Sequence, residues 1–283
     1  TRSVCVKRQT NRENELPKTN YVAQADHGCA WITGASSGIG RELALDLARS
    51  GWKVIVTARS QQELAELENQ SKTLAGSIHA LPGDVTKTDL MAEHVKKIQQ
   101  DFGGLSLLVA NAGIYLPQDG LDANADAFRK SFDVNLMGTV NVLLPAITAM
   151  KAAGRGQIAV VSSVAGYGGL PTSAAYGATK AGLINLVESL KFDLDLAGIR
   201  IQVISPGFVD TPATKSNPFP MPYLMSPEEA VEEIRKGLSH PSRFEIAFPR
   251  KFVRQLKLLR WLPYSAYFAL VARSTGWNKK KAG

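Results

Sequence analysis

Residues 33–40 read Thr33-Gly34-Ala35-Ser36-Ser37-Gly38-Ile39-Gly40, and what flanks them decides the fold. Before them, Cys29-Ala30-Trp31-Ile32-Thr33 is a short apolar run bounded by glycine, the pattern of a buried strand. After them, Ile39, Leu43 and Leu47, with Ala44 and Ala48 beside them, recur at helical spacing until Gly51 stops the pattern. Glycines let the backbone turn sharply and approach a ligand closely, and the helix N-terminus offers unpaired N–H groups to a phosphate. A bare glycine triplet is often an ordinary turn. Set between a strand and a helix at the head of an α/β pattern, it points to dinucleotide binding.

The alternation continues outward from this stretch. Apolar runs at 53–58, 77–81, 105–109, 157–161, 200–204 and 244–248 read as strands, and 60–75, 87–102, 123–153, 174–197 and 227–238 carry helical periodicity. Strands this apolar are buried on both faces. The reading is an α/β, Rossmann-type, doubly wound parallel seven-stranded sheet with helices on both faces, over residues 29–249. Residues 1–28 are polar and aperiodic and read as a flexible N-terminal extension. Residues 250–283 form a basic amphipathic C-terminal tail.

Of 283 residues, 45% are hydrophobic and 20% charged, which excludes a disordered or fibrous chain. Cys5 and Cys29 cannot build a disulfide framework, and the four histidines are too scattered for a metal site, so a reducing, cytoplasmic setting follows. The net charge of +8 is local: the tail holds nine Lys/Arg and no acidic residue. No nucleic-acid-binding module accompanies that charge, and nucleic acid is not an expected partner. No run approaches the roughly 20 apolar residues of a membrane span, and residues 1–28 hold no signal-peptide core, so the chain reads as soluble or peripherally attached.

Several polar residues fall at or just beyond strand ends, where open α/β sheets bind ligands. Asn111-Ala112-Gly113 closes the fourth strand, Ser163 the fifth and Pro206-Gly207 the sixth, with Val209 and Thr211 just after. Tyr176 and Lys180 share one helical face, and Asn135 lies in the long helix before them. At the end of the second strand, where a carboxylate would bind a ribose 2′-hydroxyl, the chain has Arg59 with no nearby carboxylate to oppose it. Arg59 suits a 2′-phosphate, so NADP is preferred over NAD. No Ser/His/Asp triad is evident.

Together these motifs resemble the short-chain dehydrogenase/reductases in their compact single-domain branch: the 33–40 turn, Asp84-Val85, Asn111-Ala112-Gly113, Asn135, Ser163, Tyr176 with Lys180, and Pro206-Gly207. The chain departs from the pattern at Ala110, where a second asparagine is common, and at Ser37, where many NADP-preferring members carry a basic residue. The resemblance implies that Asn135, Ser163, Tyr176 and Lys180 are catalytic. Tyr176 would be the general acid, its pKa lowered by Lys180 and the oxidised nicotinamide; Lys180 would also hold the ribose. Ser163 would bind the substrate oxygen, and Asn135 would fix a water that relays protons to Lys180. The cofactor would meet Gly34, Ser36, Ser37, Gly38, Ile39, Gly40, Arg59, Asp84, Val85, Asn111, Ala112, Gly113, Pro206, Gly207, Val209 and Thr211. A homodimer or homotetramer through the helices at 123–153 and 174–197 is also implied.

The 208–226 loop is apolar, with Phe219, Met221, Tyr223, Leu224 and Met225 available to line a pocket for a hydrophobic, lipid-like carbonyl or alcohol substrate. Equally, such a loop can bury its own side chains. The tail interleaves basic and apolar residues, as interfacial segments at anionic membranes do; packing on the domain, on a partner subunit or over the substrate pocket are the other readings. The function expected is NADP(H)-dependent reduction of a ketone to a secondary alcohol, or the reverse. A catalytically silent cofactor-binding or membrane-associated scaffold is the alternative. An epimerase or dehydratase of the extended branch is disfavoured by the glycine spacing and by the lack of a second domain.

Overall fold

Seven parallel strands, in the order β3-β2-β1-β4-β5-β6-β7, form the centre of the computed structural model, which describes residues 19–215, 217 and 220–279. The strands are β1 (Cys29–Thr33), β2 (Lys53–Thr57), β3 (Ser77–Ala80), β4 (Leu105–Ala110), β5 (Gly156–Val161), β6 (Ile199–Pro206) and β7 (Glu245–Phe248). The connecting helices are α1 (Gly38–Arg49), α2 (Gln61–Gln70), α3 (Thr88–Asp101), α4 (Ala125–Phe132), α5 (Gly138–Ala153), α6 (Ala174–Leu196) and α7 (Pro227–Leu238). Period-two side-chain alternation splits each inner strand between two cores. Ala30 and Ile32 face α1 and α7, through Leu43, Leu47 and Ile234; Cys29 and Trp31 face α3, α5 and α6, through Ile98, Leu143 and Val187. Chain order reverses between β1 and β4, which opens a crevice at their carboxyl ends.

The sequence predicts one helix over 123–153. The structure divides it: between α4 and α5 lies a π-helical turn, Asp133–Met137. Such a turn carries one extra residue per backbone ring, and over five residues the apolar pattern does not distinguish it from an α-helix. The stretch Ala125–Ala153 is the one helical run among the described residues that is long and apolar enough to cross a membrane, with a mean hydropathy of 1.4 over its best window. The absence of any such run expected from the sequence is corrected to that extent. Core packing accounts for the composition, because Val142, Leu143, Ala146 and Met150 are all buried against the sheet.

Both ends of the chain differ from expectation. Residues 19–28 are docked rather than free: the Ala23 amide donates to Gln157 Oε1 at 2.8 Å, and buried Arg200 donates to the Tyr21 carbonyl at 3.3 Å. The rest of the expected extension, 1–18, lies outside the described residues, as do Lys280 and Lys281 of the tail. Pro263 divides the tail into α8 (Arg250–Leu259) and α9 (Tyr264–Thr275). Phe252 and Val253 of α8 pack on Val164, Phe208 and Ala247, and Tyr267 and Val271 of α9 are buried.

Candidate active site

The crevice at the strand ends is a cleft of about 530 Å³, lined by every residue expected to be catalytic or to meet the cofactor except Gly40 and Asn135. One end is built by the 33–40 turn. Gly34 has φ +67°, and a Cβ there would lie 2.7 Å from Ala112 Cα; a Cβ on Gly40 would lie 2.5 Å from both Asn111 Nδ2 and the Gly34 carbonyl oxygen. Gly40 thus brings α1 close to the sheet and does not reach the cleft. Asn111 Nδ2 donates to the carbonyls of Thr33 and Gly34 at 3.0 and 3.1 Å, and Thr33 Oγ1 accepts from the amides of Asn111 and Ala112. The asparagine therefore fastens the turn to β4.

Ser37 is the N-cap of α1 but makes no side-chain cap bond, and no acidic residue occupies the first helical turn. By contrast α7 is closed by a reciprocal Ser226/Glu229 capping box. The α1 terminus therefore keeps its N–H groups and dipole for an anion, which fits a dinucleotide's pyrophosphate. Thr211 stands over this end, its Cγ2 2.9 Å from where a Cβ on Gly38 would sit.

Along the cleft, Asp84 Oδ1 accepts from both the amide and the hydroxyl of Thr86 at 2.9 Å. Burial alone would raise the Asp84 pKa, but the Thr86 donors and the Arg59 charge hold it below the ordinary carboxylate value. Arg59 is exposed and makes no ion pair within 4 Å among the described residues. The absence of a carboxylate near it is corrected: Asp84 is close enough in space to feel its charge.

At the other end, Ser163, Tyr176 and Lys180 converge. Ser163 ends β5 and caps a short 3-10 turn, its Oγ accepting from the Ala165 amide at 3.1 Å. Tyr176 and Lys180 project from the first turns of α6, with Lys180 Nζ 5.6 Å from the Tyr176 ring centroid. The Ser163 hydroxyl lies near enough to the tyrosine hydroxyl to favour its ionised form. Lys180 is 3% exposed and donates to the Val161 carbonyl at 2.8 Å. Burial lowers its pKa to about 8.

Burial pushes the Tyr176 phenol up to about 12, only partly offset by the neighbouring Ser163 hydroxyl. That opposes the lowering expected from Lys180 together with an oxidised nicotinamide.

Asn135 is fully buried in the π-helical turn. Its Oδ1 accepts from the Ile114 amide at 2.7 Å, while Nδ2 donates to the Ile114 carbonyl at 2.9 Å and to Thr179 Oγ1 at 3.2 Å. The side chain thus splints the segment after β4 to α6. Asn135 Oδ1 and Lys180 Nζ lie 3.3 and 3.5 Å from one point, the position a Cβ on Gly113 would take.

Beside Tyr176 the cleft is walled by Ile114, Tyr115, Leu116 and Val134. Sequence reasoning passed over Tyr115, whose ring meets Tyr176 edge-on at 5.0 Å and whose hydroxyl lies 3.1 Å from Thr172 Oγ1. The signal was an aromatic residue two places after the Asn111-Ala112-Gly113 motif. The loop residues proposed as pocket lining are elsewhere. The Tyr223 ring meets Phe252 of α8 at a tilt, Leu224 is exposed, and Met225 pairs with Val209 in a single β-bridge at the loop's base. Neither they nor Met221 reach the cleft, and Phe219 lies outside the described residues.

A family model described as short chain dehydrogenase matches residues 28–219. An uncharacterized oxidoreductase of Myxococcus xanthus is 36% identical over 252 residues, covering 89% of this chain and 99% of that protein. One from Staphylococcus epidermidis is 31% identical over 225 residues, covering 80% and 96%. Among solved structures, a 3-ketoacyl-ACP reductase from Sinorhizobium meliloti superimposes with a TM-score of 0.71 at 30% identity, covering 78% of this chain and 96% of that one. An alcohol dehydrogenase from the archaeon Thermococcus sibiricus, complexed with 5-hydroxy-NADP, gives 0.71 at 28% identity, covering 78% and 95%.

Proposed function

The chain belongs to the short-chain dehydrogenase family and is an NAD(P)-dependent oxidoreductase, and on that premise we propose that it uses NADP(H) to reduce a hydrophobic ketone to its secondary alcohol. The observation that carries the reading is the convergence of Ser163, Tyr176 and Lys180 at the apolar end of a cleft whose other end is a helix N-terminus without a side-chain cap. A reduced nicotinamide supplies a hydride to the carbonyl carbon. The protein's part is to place the carbonyl oxygen against Tyr176 and Ser163 and to deliver a proton to it.

Tyr176 is the acid. With its pKa raised to about 12 it is fully protonated near neutrality, and it still yields its proton to a developing alkoxide, which is more basic. The Ser163 hydroxyl donates to the same oxygen as charge builds there. Lys180 commits one donor to Val161 and keeps the others for a ribose; its charge stabilises the phenolate left behind. A water between Asn135 Oδ1 and Lys180 would return a proton from solvent.

Arg59 supports NADP(H), tempered by its neighbour Asp84. Ile114, Tyr115, Leu116 and Val134 support an apolar substrate. Exposed Phe132, Met137 and Leu144 along α4, the π-helical turn and α5, with Phe192 and Leu196 on α6, support self-association through those faces. The buried Cys29 thiol, its pKa pushed up by burial to about 12, is unreactive and consistent with a reducing, cytoplasmic setting.

The test is a titration of the purified protein with NADPH and then NADH, followed by nucleotide fluorescence. Tighter NADPH binding that Arg59→Asp reverses is the expected result, and NADPH consumption with apolar ketones then tests the substrate. Preference for NADH would reduce Arg59 to a surface charge, and failure to bind either nucleotide would refute the proposal.

A further inference from the structure

The tail offers a second surface, independent of the cleft. Between residues 250 and 279 there are seven Lys/Arg and no acidic residue. Only part of the apolar content of this segment packs on the domain: Phe252 and Val253 from α8, Tyr267 and Val271 from α9. On the outer side of α8, Lys251, Arg254, Leu258 and Trp261 follow at three- and four-residue steps, and all are exposed. The helical course extends to Trp261, whose amide donates to the Leu258 carbonyl at 3.1 Å. Beyond Pro263 the stripe continues in α9 with Tyr264 and Phe268, exposed and stacked on each other at 5.9 Å.

Trp261 is 88% exposed. A tryptophan left in water beside leucine, tyrosine and phenylalanine is an unmet apolar surface. Its surroundings specify what would cover it. Tryptophan and tyrosine favour the membrane–water boundary, where an apolar ring and a polar edge are both accommodated. Interleaved Lys and Arg draw such a face to anionic headgroups. A second copy of the chain is the poorer match, because a two-fold contact through this face would set Lys251 and Arg254 against their own copies with no carboxylate in the segment to offset them.

We propose that the outer face of α8 and α9 docks on an anionic lipid bilayer, with Trp261, Tyr264 and Phe268 in the headgroup layer and Lys251 and Arg254 against the phosphates. The placement matters to the site. Tyr223 and Leu224, exposed near the end of the 208–226 loop, lie beside this face, since the Tyr223 ring meets Phe252 at a tilt, 6.0 Å between centroids, and its hydroxyl faces Gln255 across 3.5 Å. The Tyr267 hydroxyl donates to the Gly169 carbonyl at 2.8 Å, in the segment between Ser163 and Tyr176. Docking would therefore bring the bilayer alongside the substrate end of the cleft. The docking surface itself does not depend on which substrate the cleft accepts.

The experiment is co-sedimentation of the full chain with vesicles of phosphatidylcholine plus phosphatidylglycerol, and with vesicles of phosphatidylcholine alone, at low and high salt. The expected result is binding to the mixed vesicles that falls at least tenfold on neutral vesicles or in high salt. Trp261→Ser with Phe268→Ser, and separately Lys251→Glu with Arg254→Glu, should each weaken binding about tenfold or more. Nucleotide affinity and melting temperature should stay unchanged in these variants, since the altered side chains are exposed. No binding to mixed vesicles, equal binding to both kinds, or binding indifferent to both double variants would overturn the proposal. So would sedimentation velocity showing a concentration-dependent dimer, without lipid, that Trp261→Ser abolishes, since a second copy would then own the face.

Discussion

Replacing Asn135 with leucine tests whether the π-helical turn holds the wall of the site. The side chain is fully buried and makes three hydrogen bonds, two of them to the backbone of Ile114. Thr179 loses little, because its hydroxyl keeps its donation to the Tyr176 carbonyl at 2.7 Å. The Ile114 N–H and C=O lose their partners, at about 1–3 kcal/mol each. Ile114 is only half-buried, so the lower end applies, and added apolar contact from leucine returns up to roughly 1 kcal/mol. The net destabilisation is about 1–2 kcal/mol, a fall of roughly 0.3–1 M in the urea midpoint followed by tryptophan fluorescence. Freed from its splint, the 113–116 segment no longer fixes Tyr115 against Tyr176, and turnover should fall about tenfold or more. A midpoint and a turnover both indistinguishable from those of the parent would refute this reasoning.

Tyr176→Phe should keep nucleotide affinity and lose about 10²-fold or more in turnover, measured by NADPH consumption; near-normal turnover would remove Tyr176 as the acid. The buried Lys180 should leave a pH signature. With a folded pKa near 8 against an ordinary 10.5, the unfolded chain holds a proton the folded chain has released between those values, so stability rises with pH there. Tyr176 and Cys29 titrate the opposite way at higher pH, and both cancel when Lys180→Met is the reference. The stability of the parent relative to that variant should rise by about 1.4 kcal/mol per unit from pH 8 to 10, read by urea denaturation; a flat difference would show Lys180 discharged already or freely hydrated. Tyr267→Phe removes the bond to Gly169, and should lower turnover with little change in nucleotide affinity or melting temperature, read in the same NADPH assay.

Most of the sheet was legible because β1, β2, β4, β5 and β6 are mostly apolar and bounded by glycine or polar turns. The cleft was legible for a related reason: strand ends converge by topology, so residues placed there by the alternation alone, such as Ser163 and Pro206, must be neighbours. What stayed hidden depends on contacts across the fold. The π-helical turn spans five residues, too few for the apolar pattern to show the change of backbone bonding. Apolar residues at 221–225 gave no indication of which surface they would meet, and the surface is α8 rather than the cleft. Lys180 and an oxidised nicotinamide suggest a lowered phenol pKa; burial, which sequence spacing does not record, acts in the opposite direction. For the tail, amphipathic spacing was plain, but the break at Pro263 and the choice of buried face belong to packing.

The same tail bears on the order in which the enzyme can be completed. Glu245 accepts from the Tyr167 hydroxyl at 2.6 Å and pairs with Lys257 of α8, while Tyr267 secures Gly169 and lies beside the Arg260 guanidinium. The segment between Ser163 and Tyr176 is thus braced by residues that leave the ribosome some ninety positions after it. A nascent chain that has emerged as far as β7 holds every strand, all of Ser163, Tyr176 and Lys180, and the Tyr167–Glu245 bond, yet lacks Tyr267 and the Lys257 that pairs with Glu245. Acquisition of activity during synthesis is therefore tied to release of the final helices rather than to closure of the sheet.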